Sequence, residues 1–169
     1  MDYRTQLIRL IDKFNVESVE EFKEAENLIV RDSKFSSITK KKDYDGHMQI
    51  LKRVKTKAQK LDPKSVQIPE EDMETQELRR AFEKCLVIFS GVCDSYTQMQ
   101  KALKDKSEGE KLKYSQFKQY NDRVRFARAS LNEHMHELDI LYSDFVEFSQ
   151  DDEEEDFGGV EYKTYDSFL

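Results

Sequence analysis

Two stretches decide the fold: residues 78–103, LRRAFEKCLVIFSGVCDSYTQMQKAL, and residues 117–148, FKQYNDRVRFARASLNEHMHELDILYSDFVEF. In the first, Leu78, Phe82, Cys85, Phe89, Val92, Tyr96, Met99 and Leu103 recur at alternating spacings of four and three. In the second, the rule is kept by Phe117, Tyr120, Val124, Ala127, Leu131, His134, Leu138, Leu141, Phe145 and Phe148. That alternation places one apolar stripe along a helix and requires a facing helix to cover it. Ser107-Glu108-Gly109 breaks the chain between the two. If the chain reverses there, facing positions sum to a constant near 216, pairing Leu78 with Leu138, Cys85 with Leu131 and Phe89 with Ala127. The sequence therefore predicts an antiparallel helical hairpin over about 70–106 and 111–149. At 1.5 Å per residue each arm is about 55 Å long, so the hairpin is elongated.

The first arm carries apolar residues beside its stripe, Leu86 and Cys93 on one flank and Ala81 and Ile88 on the other. Extra width calls for extra neighbours. Residues 2–14 supply one amphipathic helix, with Tyr3, Leu7, Leu10 and Phe14 on one face, ended by Asn15. Ser18-Val19-Glu20-Glu21 fits a capping box that opens a second. Its apolar face of Val19, Phe22 and Ile29 is interrupted by Glu26. Asp45 can cap a third helix to about Leu61, on the stripe Leu51, Val54, Ala58 and Leu61. Asp62-Pro63 is a turn, and Pro69 suits the first turn of the next helix. The predicted fold is all-α: the long hairpin packed with two or three shorter N-terminal helices as a four- to five-helix bundle. A homodimer through the same apolar surface is the competing explanation. Residues 1–149 form the bundle domain and 150–169 an acidic tail. Gly91, in mid-helix, marks a close crossing, a kink or chance tolerance.

Charged residues make up 37% of the 169-residue chain, well above the roughly 25% of an average soluble domain. The net charge of −7 is unevenly spread. Residues 31–64 hold eleven Lys and Arg against four Asp and Glu, whereas 150–169 hold one against eight. No apolar run approaches the roughly 18 residues of a membrane span, and the first residues lack a signal-peptide pattern. A cytoplasmic protein with no membrane association is the expectation. Cys85 and Cys93, eight residues apart on one helix, are about 12 Å apart, too far to bond each other. They read as reduced, buried thiols.

Catalytic and metal motifs do not assemble. Glu133 and His136 make a single Glu-x-x-His where a di-iron bundle needs two, and HExxH is missing. Asp43-Tyr44-Asp45-Gly46-His47 lacks the full ligand set of a calcium loop and reads as a turn and helix cap. His134 falls in the stripe, as a hydrogen-bonded ring or a polar register-setter. Phosphate-binding glycine motifs are not present. The chain reads as non-enzymatic, with no cofactor and no metal.

Two segments remain as candidate binding surfaces. Lys40, Lys41 and Lys42 precede a helix on which Arg53, Lys57 and Lys60 line one side. This surface suits phosphates, or is a solvated helix face. The tail opens with Asp151-Asp152-Glu153-Glu154-Glu155-Asp156 and continues with Phe157, Tyr162, Tyr165, Phe168 and Leu169 set among polar residues. It can fold back on 31–64, dock on a partner, or keep the chain soluble. The leading expectation is a protein-interaction subunit or adaptor with the tail as docking or autoinhibitory segment. The alternative is a nucleic-acid-associated accessory protein that uses 31–64, with the tail as a phosphate mimic.

Overall fold

A computed structural model describes residues 1–34 and 42–154, with the side chains of 34 and 147–154 left aside. Its elements are α1 (Tyr3–Phe14), a π-helical turn (Asn15–Val19), α2 (Glu20–Lys34), α3 (Tyr44–Gln59), a 3₁₀ turn (Pro63–Ser65), α4 (Met73–Ser107) and α5 (Tyr114–Glu154). The described residues contain no strand. The all-α bundle and its long hairpin stand as expected, with the arms at 73–107 and 114–154 rather than 70–106 and 111–149.

The hairpin turns at Gly109, whose φ of 107° is open to glycine and strained for other residues. The Gly109 amide donates to the Lys106 carbonyl and the Glu110 amide to the Asp105 carbonyl. This Schellman pair closes the last turn of α4. Beyond it α5 runs back along α4 in the anticipated register. The Cys85 thiol donates to the His134 carbonyl oxygen at 3.1 Å, a sum of 219, within one turn of 216.

The N-terminal segment departs from expectation. The α-helical hydrogen bonding of α1 does stop at Asn15, its C-cap, but the chain does not turn there, and Ser18 does not cap α2. The chain passes between them through the π-turn, so α1 and α2 form one continuous rod. The aromatic residues explain why. Phe14 and Phe22 both pack on Phe89, at ring-centroid distances of 5.2 and 5.4 Å. Eight residues of regular α-helix rotate by about 800°, which would set the two rings about 80° apart. A π-turn holds one extra residue, so the eight behave nearly as seven and both rings face α4. The cost shows at Ser18, which is buried with its hydroxyl oxygen unpartnered.

Polar contacts fix the direction of each rod. Tyr3 Oη and Arg4 both donate to Asp72, the N-cap of α4, so α1 begins where α4 begins. Lys55 pairs with Asp94 and Lys104 with Asp45, so α3 runs opposite to α4. Tyr142 donates to Asp12 and Arg128 to Glu26, so α5 runs opposite to the α1–α2 rod. The result is an up-down-up-down bundle of four rods. Helix α3 spans only about 24 Å. The remaining length of α4 on that side is covered by the 60–72 connection, where Leu61, Pro63 and Val66 are buried.

Two smaller corrections share one cause, competition between neighbouring caps. Asp43, not Asp45, caps α3 by accepting from the Gly46 amide at 2.9 Å. Asp72 caps α4 from Thr75, so Pro69 lies in the preceding turn and not in the helix. Gly91 meets open space where a Cβ would stand, so no helix crosses there. Glu26, read as an interruption of α2, accepts from both Tyr96 and Arg128 and is an anchor of the core edge.

Candidate functional site

At the end of the bundle where α2 finishes and α3 begins, three helices meet around a buried imidazole. His47 Nε2 lies 3.0 Å from Asp32 Oδ2, and Nδ1 lies 2.9 Å from Gln100 Oε1. A ring nitrogen that carries hydrogen donates to the oxygen it faces, Nε2 to Asp32 or Nδ1 to Gln100. His47 and Gln100 are both buried. They border a cleft of about 350 Å³ whose walls include Ile29, Tyr96, Met99, Leu103 and Phe117, with Lys42 and Arg125 also on its lining. Sequence reading treated His47 as part of a turn. Only its spacing from Leu51 and Val54 (four and seven residues) could have placed it on the buried stripe of α3.

The arrangement ties α2, α3 and α4 together. An Asp–His pair activates a nucleophile when the second ring nitrogen faces a hydroxyl or thiol. Here that nitrogen faces the Gln100 carboxamide. The two thiols are held in the wrong state as well. Burial pushes Cys85 up to about 12, helped by Glu137, and burial with Asp94 does the same to Cys93. A reactive thiol needs the opposite surroundings. Among the described residues no cluster of His, Cys, Asp and Glu could hold a metal ion. His134 Nδ1 donates to the Ser130 carbonyl of its own helix at 2.8 Å.

The basic face predicted on α3 exists, but much of its charge is spent within the bundle. Arg53 and Lys57 both bind Glu21 on α2. Lys55, between them, binds Asp94. Burial raises the Glu21 carboxyl, and the two cations more than offset this and hold it below its usual range. Lys60 is exposed beyond the pair, and Lys42 lines the cleft near His47. Lys40 and Lys41 lie outside the described residues, as do Phe157, Tyr162, Tyr165, Phe168 and Leu169.

Helix α5 leaves one face exposed among the described residues. Through residue 146 its buried side chains are Val124, Leu131, Leu138 and Phe145, one every seven residues. On the opposite side Phe126 is 76% exposed and Ile140 49% exposed. The helix continues through Glu154, so the first four residues of the acidic run extend the rod. The Glu26–Arg128 and Asp12–Tyr142 contacts place Glu21 level with position 133. Residues 151–154 therefore lie about 30 Å along the axis from Arg53 and Lys57. No helix is long and apolar enough to cross a membrane among the described residues. Compared with protein-family models, curated proteins and solved structures, the chain matches none of them.

Proposed function

We propose that the protein is a non-enzymatic interaction subunit or adaptor that presents the outer face of α5 to protein partners, with the tail beyond α5 as a docking segment. The single observation that carries this is the one-sided burial of α5. Through residue 146 the helix is held by one stripe and leaves Phe126 and Ile140 in water on the other side. Scattered exposed apolar residues are ordinary. These two lie on one line of one helix, about 21 Å apart, at the spacing of four turns. The His47 cluster supports the same reading, because its polar groups satisfy each other.

The geometry favours docking over self-masking for the acidic run. Its helical part is about 30 Å from the basic face it would cover. The nucleic-acid reading loses its best residues to Glu21 and Asp94, since a cation already paired within the fold releases fewer counterions from a phosphate backbone.

The test is quantitative capture from an extract of the native source by the immobilised full chain and by its Phe126→Glu and Ile140→Glu variants. Both variants are expected to keep the thermal midpoint of the parent and to lose the specific partner. Equal capture by all three chains would refute the assignment of the α5 face. Deletion of 155–169 isolates the tail, and unchanged capture would remove it from the mechanism.

A further inference from the structure

The charge on α5 is divided along its length. Residues 114–128 carry four Lys and Arg and one Asp, a net +3, whereas 129–154 carry nine Asp and Glu and neither Lys nor Arg, a net −9. The outward line of the helix runs through Phe126, Glu133 and Ile140, each seven residues from the next, and all three are exposed. Phe126 and Ile140 are therefore equally distant from Glu133. A second copy of the same helix, laid antiparallel with Glu133 at the twofold axis, faces positions that sum to about 266.

That register can be followed outward from the axis. Phe126 meets Ile140 of the second copy, twice. In an antiparallel twofold pair each flank of the helix meets the same flank of the other copy. On one flank Arg123 then faces Asp144, and on the other Arg125 faces Asp139. All four are exposed and take part in no ion pair among the described residues. The basic half of each α5 lies against the acidic half of the other. A parallel pair would set basic against basic and acidic against acidic. Like charges approach at two places: Glu133 meets its own copy at the axis, and Asp122 comes level with Asp144 beside Arg123.

We infer that one partner of the α5 face is a second copy of this chain, bound antiparallel about Glu133, with Phe126 on Ile140 and Arg123 on Asp144. This rests on reading the outer face of α5 as an interaction face. The contact is closed by its twofold symmetry, so it yields dimers and not filaments. With two large apolar residues per copy it is weak, and it is screened by salt.

Sedimentation equilibrium of the full chain from 1 to 300 µM, at low and high salt, reads the state directly. A monomer–dimer equilibrium that weakens with salt is expected. Phe126→Glu should weaken it roughly tenfold or more, as loss of an aromatic anchor does. Glu133→Leu should tighten it, because it removes the repulsion at the axis. Arg123→Glu should weaken it about three- to thirtyfold, because two exposed Arg123–Asp144 pairs are lost. Adding Asp144→Arg to that variant should restore the parent affinity.

Glu133→Cys should give a disulfide-linked dimer under mild oxidation, whereas Phe126→Cys should not, since its two copies lie about 21 Å apart. A chain that stays monomeric at 300 µM in low salt overturns the inference. So does a dimer indifferent to Phe126 and Glu133, or a charge swap that fails to restore it. A monomer that still loses a different protein partner on Phe126→Glu would overturn the self-pairing alone and leave the interaction role standing.

Discussion

Helices α4 and α5 carry the same alternation of apolar residues at three and four, and they face each other along most of their length. Their surroundings differ. Residues Arg80, Lys84, Val87, Gly91, Asp94, Gln98 and Lys101 form the one exposed line of α4, a narrow strip at the same spacing as its core. Around the rest of its circumference stand α5, α3, the 60–72 connection and the aromatic residues of α1 and α2. Helix α5 touches α4 on one side and the α1–α2 rod through a few polar struts, and is open elsewhere. An identical seam thus makes one helix the axis of the fold and the other its outer wall. What separates them is the residues beside the seam: Ala81, Leu86, Ile88 and Cys93 on α4, and Arg, Asn, Glu and Asp on α5.

The sharpest way to break this contrast is to remove the same side chain from each helix. Phe89 has no exposure and meets Phe14 and Phe22 edge to face. Its truncation to Ala removes transfer energy and leaves a cavity bounded by two rods, at a cost of about 3–5 kcal/mol. Phe126→Ala should change the unfolding free energy by no more than about 0.5 kcal/mol. Urea unfolding followed by circular dichroism measures both. Comparable losses at the two sites would mean that α5 has a covered outer face, and the axis-and-wall description would fail.

A second comparison sets the start of α4 against its middle, and it is read by pH. Asp72 is 9% exposed at its side chain and accepts from the Thr75 amide and hydroxyl, Tyr3 and Arg4. Burial pushes its carboxyl up, and these donors outweigh burial and hold it at about 2, against an ordinary value of 3.8. A depressed carboxylate contributes stability above its unfolded value, which is lost as pH falls through the folded one. The expected contribution is about 2 kcal/mol, full above about pH 5 and lost progressively down to about pH 1. Asp72→Asn should flatten this limb of the stability curve while costing most of the same energy at pH 7. A parent curve without the limb would mean that the cap is not formed in solution.

The seams were legible because period and length are properties of the sequence alone. Stripes of 26 and 32 residues in unbroken three–four alternation have few readings, and the Ser107-Glu108-Gly109 break fixes the register to within a turn. The π-turn was not legible. Ser18-Val19-Glu20-Glu21 satisfies every local requirement of a capping box, and what overrides it is distant: Phe89 draws Phe14 and Phe22 to one face. Local hydrogen bonds worth about 1 kcal/mol lose to two buried aromatic rings. Glu26 and His47 were misread for a related reason. A polar residue in a stripe looks like a flaw until Tyr96 and Arg128, or Asp32 and Gln100, arrive from elsewhere in the chain. Arg53 and Lys57 looked like a free phosphate surface because their partner, Glu21, had been assigned to the cap.

The two glycines of the hairpin sharpen the contrast on the finest scale, because the same substitution should act with opposite sign. Gly109 holds a positive φ in the Schellman turn, so Gly109→Ala forces a side chain into the left-handed region at a cost of about 1–2 kcal/mol. Gly91 has ordinary helical geometry, and a Cβ there meets nothing within 4 Å. Gly91→Ala therefore removes backbone entropy from the unfolded chain without a clash and should stabilise by about 0.5–1 kcal/mol. Both effects are read from chemical denaturation midpoints at constant slope. A loss of stability at Gly91 would be the more informative failure. It would mean that something approaches the exposed strip of α4 at its centre, that the strip is an interface in solution, and that the open wall of this bundle includes α4 as well as α5.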